Sequence, residues 1–261
     1  MCCIGHCYVQ PVTGLQIFAV PGIPEIVAGA DLAEAIAAAA AAADSALADG
    51  DIVVVTSKIV SKSEGRTIEL ADVEPSPFAV EWSAKWDKDP AVTEVVLREA
   101  KRIVRQLGPV LITETQHGFV CANSGVDQSS SGAHGRLVLL HTDPDVSARH
   151  IRAGLARAGA DVAVIISDTF GRAWREGQTD IAIGIAGMQP IRSYIGQFDP
   201  HGHEFKVQEV CLADELAGAA ELVKGNISRM PVGVIRGYAW EPDDSATIAP
   251  VLREQSRDLF R

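Results

Sequence analysis

Apolar and polar positions alternate between short β-branched runs and longer helical periods along the chain. Residues 52–55, Ile-Val-Val-Val, lie between Asp49-Gly50-Asp51 and Thr56-Ser57. Such a run, closed by turn residues, predicts a strand buried on both faces. Further strands are expected at 15–20, 110–113, 118–121, 162–166, 181–185 and 232–235. Pro21, Gly22 and Pro24 make a rigid turn after the first of these. Asp31 and Glu34 have capping-box spacing and open an alanine-rich helix expected to reach residue 48. Asp89-Pro90 starts another helix, with Pro at the first helical position. Its apolar face is read as Val92, Val95, Val96, Ile103 and Leu107, with Gly108 as the stop. Helices are also expected at 146–158, 212–224 and 245–259. Residues 74–87 show no period and read as an exposed loop or lid. Helices and strands mix without strict βαβ repetition, so the expected class is α+β (mixed sheets), with α/β as the alternative.

Composition narrows the function. The chain has 261 residues, 47% of them apolar, enough for one large domain or two small ones. The formal net charge of -11 argues against nucleic acid or an anionic membrane as partner. An acidic protein that handles anionic substrates needs local Lys and Arg, or a divalent cation, at the site. No apolar run is long enough for a membrane span, and the first residues lack a signal-peptide layout. The five cysteines, three of them at Cys2, Cys3 and Cys7, do not form a disulfide framework. Residues 1–14 read as a variable tail, and a cytoplasmic location is expected.

Neither G-x-x-x-x-G-K-[ST] nor G-x-G-x-x-G occurs, so any nucleotide site is built differently from a P-loop or a Rossmann crevice. Three segments carry candidate chemistry. Strand 162–166 runs into Ser167, Asp168 and Thr169 before Gly171, and a carboxylate beside a hydroxyl suits magnesium or manganese. Asn123 to Asp127, with Gly125 between them, allows close backbone approach and offers a second carboxylate. Ser129, Ser130 and Ser131 follow as phosphate donors. Thr56, Ser57, Lys58, Ser61 and Lys62 follow a buried strand, and Lys58 and Lys62 share a face if the segment is helical. For each, a bland reading stands beside the functional one: a capped turn, a polar loop, a solvated lysine pair. Arg172 and Arg175 beside Gly177 are candidates to clamp carboxylate or phosphate. His117, His201 and His203 read as structural or surface residues.

Together these segments resemble the coenzyme F420-0:γ-glutamyl ligase family. The resemblance rests on residues 55–62 (VTSKIVSK), 117–127 (HGFVCANSGVD), 167–177 (SDTFGRAWREG), 213–225 and 231–237, in the family's order. It implies a ligase domain over 15–261 and an intertwined, two-lobed homodimer. It also implies GTP as co-substrate, divalent magnesium or manganese, and potassium. By position, Ile23, Pro24, Glu25, Ile26, Ser57 and Lys62 resemble nucleotide contacts, and Asp127, Asp168 and Thr169 resemble metal ligands. Ser130 stands where the family pattern has Asn, so a hydroxyl replaces an amide at that nucleotide contact. The implied reaction joins L-glutamate to coenzyme F420-0, then adds further γ-linked glutamates, through an acyl phosphate and without a covalent nucleophile. The competing readings are a non-catalytic deazaflavin- or nucleotide-binding protein and a metal-dependent phosphatase on the same scaffold.

Overall fold

The computed structural model describes residues 14–128 and 135–258. In chain order the strands are β1 (Gln16–Ala19), β2 (Ile52–Thr56), β3 (Thr67–Glu69), β4 (Ala100–Leu107), β5 (Val110–Thr115), β6 (Val120–Ala122), β7 (Arg136–Val138), β8 (Ala163–Arg172), β9 (Arg175–Met188), β10 (Ile191–Ser193), β11 (Glu209–Cys211), β12 (Val232–Arg236) and β13 (Pro242–Asp243). The helices are α1 (Leu32–Ala42), α2 (Ser57–Ser63), α3 (Pro77–Trp86), α4 (Pro90–Glu99), α5 (Pro144–Arg157) and α6 (Leu212–Lys224). The fold is α+β.

A six-stranded sheet in the order β1-β12-β2-β8-β9-β13 forms the frame. Only β2 and β8 run parallel; every other neighbouring pair in it is antiparallel. Ile52 to Val55 and Ala163 to Ile166 are fully buried, which requires cover on both faces and explains their unbroken apolar runs. Helices α5 and α6 pack on β9, and α1 packs on α5. Gly184 of β9 makes one of these contacts possible, because a Cβ there would sit 2.5 Å from the Pro144 carbonyl oxygen. A three-stranded sheet, β4-β5-β6, stands apart from the main one. A smaller core of Val73, Ala91, Val95, Leu137 and Leu139 supports α4 and β7.

Several expectations are corrected. The helix begun at Pro90 ends at Glu99, and residues 100–107 form β4. Ile103 and Leu107 fit a helical period only by spacing; pairing with β5 across Gly108-Pro109 wins, and both side chains are exposed. Residues 77–86, expected in a loop or lid, form α3, whose Ser76 cap accepts the Ala79 amide and whose first residue is Pro77. The alanine-rich helix stops at Ala42, with Asp31 capping Glu34 as read. The expected helix at 245–259 is replaced by two short 3₁₀ turns at Ala249–Val251 and Gln255–Arg257, because Pro250 interrupts the backbone donor series. Both β8 and β9 are longer than expected, so Asp168 lies within a strand and not at its end.

Candidate active site

The parallel pair of strands assembles the site. Thr56 of β2 is in register with Ser167 of β8. The next residues, Ser57-Lys58 of α2 and Asp168-Thr169 of β8, therefore meet at the carboxyl end of the pair, where open sheets commonly bind ligands. Strand alternation then divides β8. Ser167 and Thr169 both donate to Asp180, at 2.8 and 2.7 Å, whereas Asp168 faces a different cavity. Asp127 reaches that cavity from a tight turn. Asn123 and Ser124 are left-handed, and Gly125 has a positive φ, with no room for a Cβ against Leu140. Ser124 is held by bonds to Thr113 and to the Val96 carbonyl, and Asp127 itself bridges Val138.

Two cavities adjoin there. One, of about 630 Å³, is lined by the turn Ile23-Pro24-Glu25-Ile26, by Lys62, and by the loop 225–231. The other, of about 410 Å³, is lined by Ser57, Asp127, Asp168 and Gln178, among others. Lys58, Thr169 and Asn226 belong to the walls of both. Asp127 and Asp168, 41 positions apart in sequence, thus line one cavity. Lys62 extends into the larger cavity and binds Glu25 at 2.6 Å, which draws the Glu25 carboxyl below its usual range. Ser57 lies on the smaller cavity, away from the other expected nucleotide contacts. Ser130 and the cysteines Cys2, Cys3 and Cys7 lie outside the described residues.

The electrostatics of the site centre on its two carboxyl groups. Burial pushes the Asp168 carboxyl up to about 6, despite the Thr169 amide, the Lys58 charge and the Ser57 hydroxyl, all of which act the other way. Lys58 Nζ lies 3.0 Å from Asp127 Oδ2. Two carboxylates and a hydroxyl make a hard-oxygen set. Among the described residues, no group of three His, Cys, Asp or Glu could hold a metal unaided. That donor set fits magnesium or manganese, which take one or two carboxylates and complete their shell with water and substrate phosphate. Burial raises the Cys121 thiol to about 12, so it stays protonated and is no nucleophile.

Some polar residues at the site have no individual role assigned from sequence, Lys224 among them although it lies in the family-like segment 213–225. Lys224, 1% exposed, closes α6 and contacts Asp180 at 2.7 Å, Ser167 at 2.8 Å and Thr56 at 3.4 Å. Glu221 lies 3.7 Å from the same ammonium. Burial acts to raise the Asp180 carboxyl, but Lys224 and the two hydroxyls outweigh it and hold it low. Burial and the Asp180 charge raise Glu221. Asp180 is thus the charged partner, and its Oδ1 fixes the Thr169 hydroxyl proton. A hint was available in sequence: Ser167 and Thr169 alternate on one strand, so a shared polar partner is required inside the fold.

Other candidates lie elsewhere. Arg172 and Arg175 face each other across the exposed end of the β8–β9 hairpin and line neither cavity. The long strands carry them past these two cavities. His117 is structural, sitting 2.9 Å from the His141 carbonyl and 3.1 Å from that of Thr142. His201 and His203 sit in an exposed loop organised by Asp199.

Comparison with known proteins adds a family to this geometry. A family model described as F420-0:Gamma-glutamyl ligase matches residues 22–237. The chain is similar to the coenzyme F420:L-glutamate ligase of Methanothermobacter thermautotrophicus, 41% identical over 251 residues that cover 95% of this chain and 99% of that protein. The corresponding ligase of Methanopyrus kandleri is 42% identical over 254 residues, 95% of this chain and 98% of its own length. That of Halobacterium salinarum is 41% identical over 239 residues, with coverage of 89% and 90%.

Proposed function

Since the chain belongs to the F420-0:gamma-glutamyl ligase family and is a ligase that forms C–N bonds, we propose that it uses GTP to join L-glutamate to coenzyme F420-0, and then to add γ-linked glutamates. The observation that carries this reading is the pair of adjoining cavities with Lys58, Thr169 and Asn226 in their common wall. The larger takes the nucleotide, with Lys62 toward its phosphates. The smaller takes the acceptor carboxylate and the incoming amine.

In the first step, an acceptor carboxylate oxygen attacks the γ-phosphorus, the bond to the bridging oxygen breaks, and GDP leaves with an acyl phosphate formed. In the second, the glutamate amine, having lost its extra proton, attacks the acyl carbon and phosphate departs. A divalent ion bound here would screen the anionic reactants and stabilise charge on the transferring group. Asp127, Asp168 and Thr169 would hold it. Lys62 draws the phosphates into place, and Asp180 orients the Thr169 hydroxyl so that its lone pairs stay available to the cavities. No side chain needs to form a covalent intermediate.

The test supplies GTP, L-glutamate, the deazaflavin precursor and either magnesium or manganese, and reads product mass and phosphate release. A mass gain of glutamate residues, with phosphate released only when both acceptors are present, is expected. Phosphate release without them would assign a phosphatase instead. Asp168→Asn, which offers a poor ligand to a hard cation, should lower turnover roughly 100-fold or more with the fold retained. Full activity in that variant would remove Asp168 from the site. A homodimer is also part of the reading, by membership of the family, and light scattering at micromolar concentration tests it. The alanine-rich helix packs one face into the protein's own core through Leu32, Ile36 and Ala40.

A further inference from the structure

Lys58 stands where two demands on one carboxylate compete. Its Nζ lies 3.0 Å from Asp127 Oδ2, and it lines the same cavity as Asp168. It is therefore the cation already present beside both carboxylates. A divalent ion on the same carboxylates would sit a few ångströms from that ammonium, and like charges at such a distance repel. The ammonium and the ion therefore compete for the charge of Asp127, and withdrawal of Lys58 relieves their repulsion.

The place it can withdraw to is limited. Lys58 lines the walls of the two cavities, and Lys62, one turn further along α2, faces the larger of them. Its side chain is about a third exposed, at 31%, so it is not locked by packing. A lysine is a point charge on a flexible four-carbon stem, suited to such a swing.

We propose that Lys58 is a catalytic residue that yields Asp127 to the divalent cation and then contacts the transferring phosphoryl group from the common wall. This rests on the reading of the two cavities given above. Before loading, Lys58 keeps Asp127 compensated inside the protein. After loading, it adds positive charge where charge on the phosphoryl oxygens spreads. Ordered metal and nucleotide entry follows, because the ammonium leaves the carboxylate most readily when a phosphate offers it a new partner.

The experiment titrates Mn²⁺ into nucleotide-free protein, with free ion read by electron paramagnetic resonance. Wild type is compared with Lys58→Met, Lys58→Gln, Lys58→Arg and Asp127→Asn. The thermal transition of each variant is measured alongside. Removal of the competing ammonium should tighten Mn²⁺ binding about fivefold in Lys58→Met and Lys58→Gln, or ~1 kcal/mol at 1.4 kcal/mol per tenfold. Lys58→Arg, which keeps the charge, should not tighten it. With GTP and substrates, the two neutral variants should lose roughly 100-fold in kcat with a smaller change in KM. A lysine that merely braces Asp127 gives the opposite result: Mn²⁺ binding unchanged or weaker in the neutral variants. That outcome overturns the proposal while the metal site stands. Equal Mn²⁺ binding by wild type and Asp127→Asn would overturn the metal site itself, and this proposal with it. If neither neutral variant folds, Lys58 is a stability element and the proposal is likewise overturned.

Discussion

Asp180→Asn removes one charge from the buried Lys224 cluster while nearly keeping its shape. In the native protein Lys224 Nζ has Asp180 at 2.7 Å and is only 1% exposed. Removing one partner of a buried ion pair costs ~3–5 kcal/mol, most of it the penalty of stranding the other charge. Here the lower end applies, ~3 kcal/mol, because Lys224 keeps the Ser167 hydroxyl at 2.8 Å and Glu221 lies 3.7 Å away, ready to take over as counter-charge. For a chain of this size that loss lowers Tm by about 6–12 °C. Lys224→Met in the same background removes the stranded charge, so the double variant should return to within ~1.5 kcal/mol of wild type. Urea denaturation of wild type, both single variants and the double variant measures this coupling. The reasoning is refuted if Asp180→Asn alone costs under ~1 kcal/mol, or if the double variant loses the sum of the single losses. Thr169 supplies a second readout in the same variant. An amide can turn its NH₂ toward Thr169 and no longer requires that hydroxyl to donate, so Mn²⁺ affinity should fall even where the fold survives.

Lys62→Ala should weaken GTP binding by ~1.5–3 kcal/mol, the range for a hydrogen bond to a charged group; unchanged affinity by calorimetry would leave Lys62 as the partner of Glu25 alone. Gly184→Ala should cost ~1–3 kcal/mol, because the new Cβ meets the Pro144 backbone, which has little room to yield. Gly171→Ala, where nothing lies within 4 Å, should stay within ~0.5 kcal/mol, and equal effects would contradict the packing account. His141 is fully buried, and burial, then His117 and Arg66, push its imidazole down to about 3 from 6.5. Between those values the unfolded chain binds the proton that the folded one refuses, so stability is full above pH 6.5 and is lost as pH falls toward 3. His141→Gln should flatten that part of the stability–pH curve, and an unchanged slope would assign the acid sensitivity to other groups.

Local chemistry was legible in the sequence wherever a short segment fixes its own conformation. The run Ile52–Val55 could be little other than a buried strand. Asp31 with Glu34, and Asp89 with Pro90, mark helix starts by backbone hydrogen bonding within one turn. The segments that hold Lys62, Asp127 and Asp168 could be picked out because hard oxygen donors and small residues cluster in them. What the sequence did not decide depends on partners far along the chain. Residues 100–107 satisfy a helical period nearly as well as a strand, and only pairing with Val110–Thr115 settles it. Lys224 reads as the last residue of an amphipathic helix; its role appears only when β8 and β9 bring Ser167 and Asp180 to its ammonium. Arg172 and Arg175 looked well placed as neighbours of Asp168, yet the length of the β8–β9 hairpin carries them to its far end. Side-chain direction in a strand has a period of two and hairpin length is set by cross-strand pairing, so neighbours in sequence part while Lys58 and Asp127, 69 positions apart, come to share one charge.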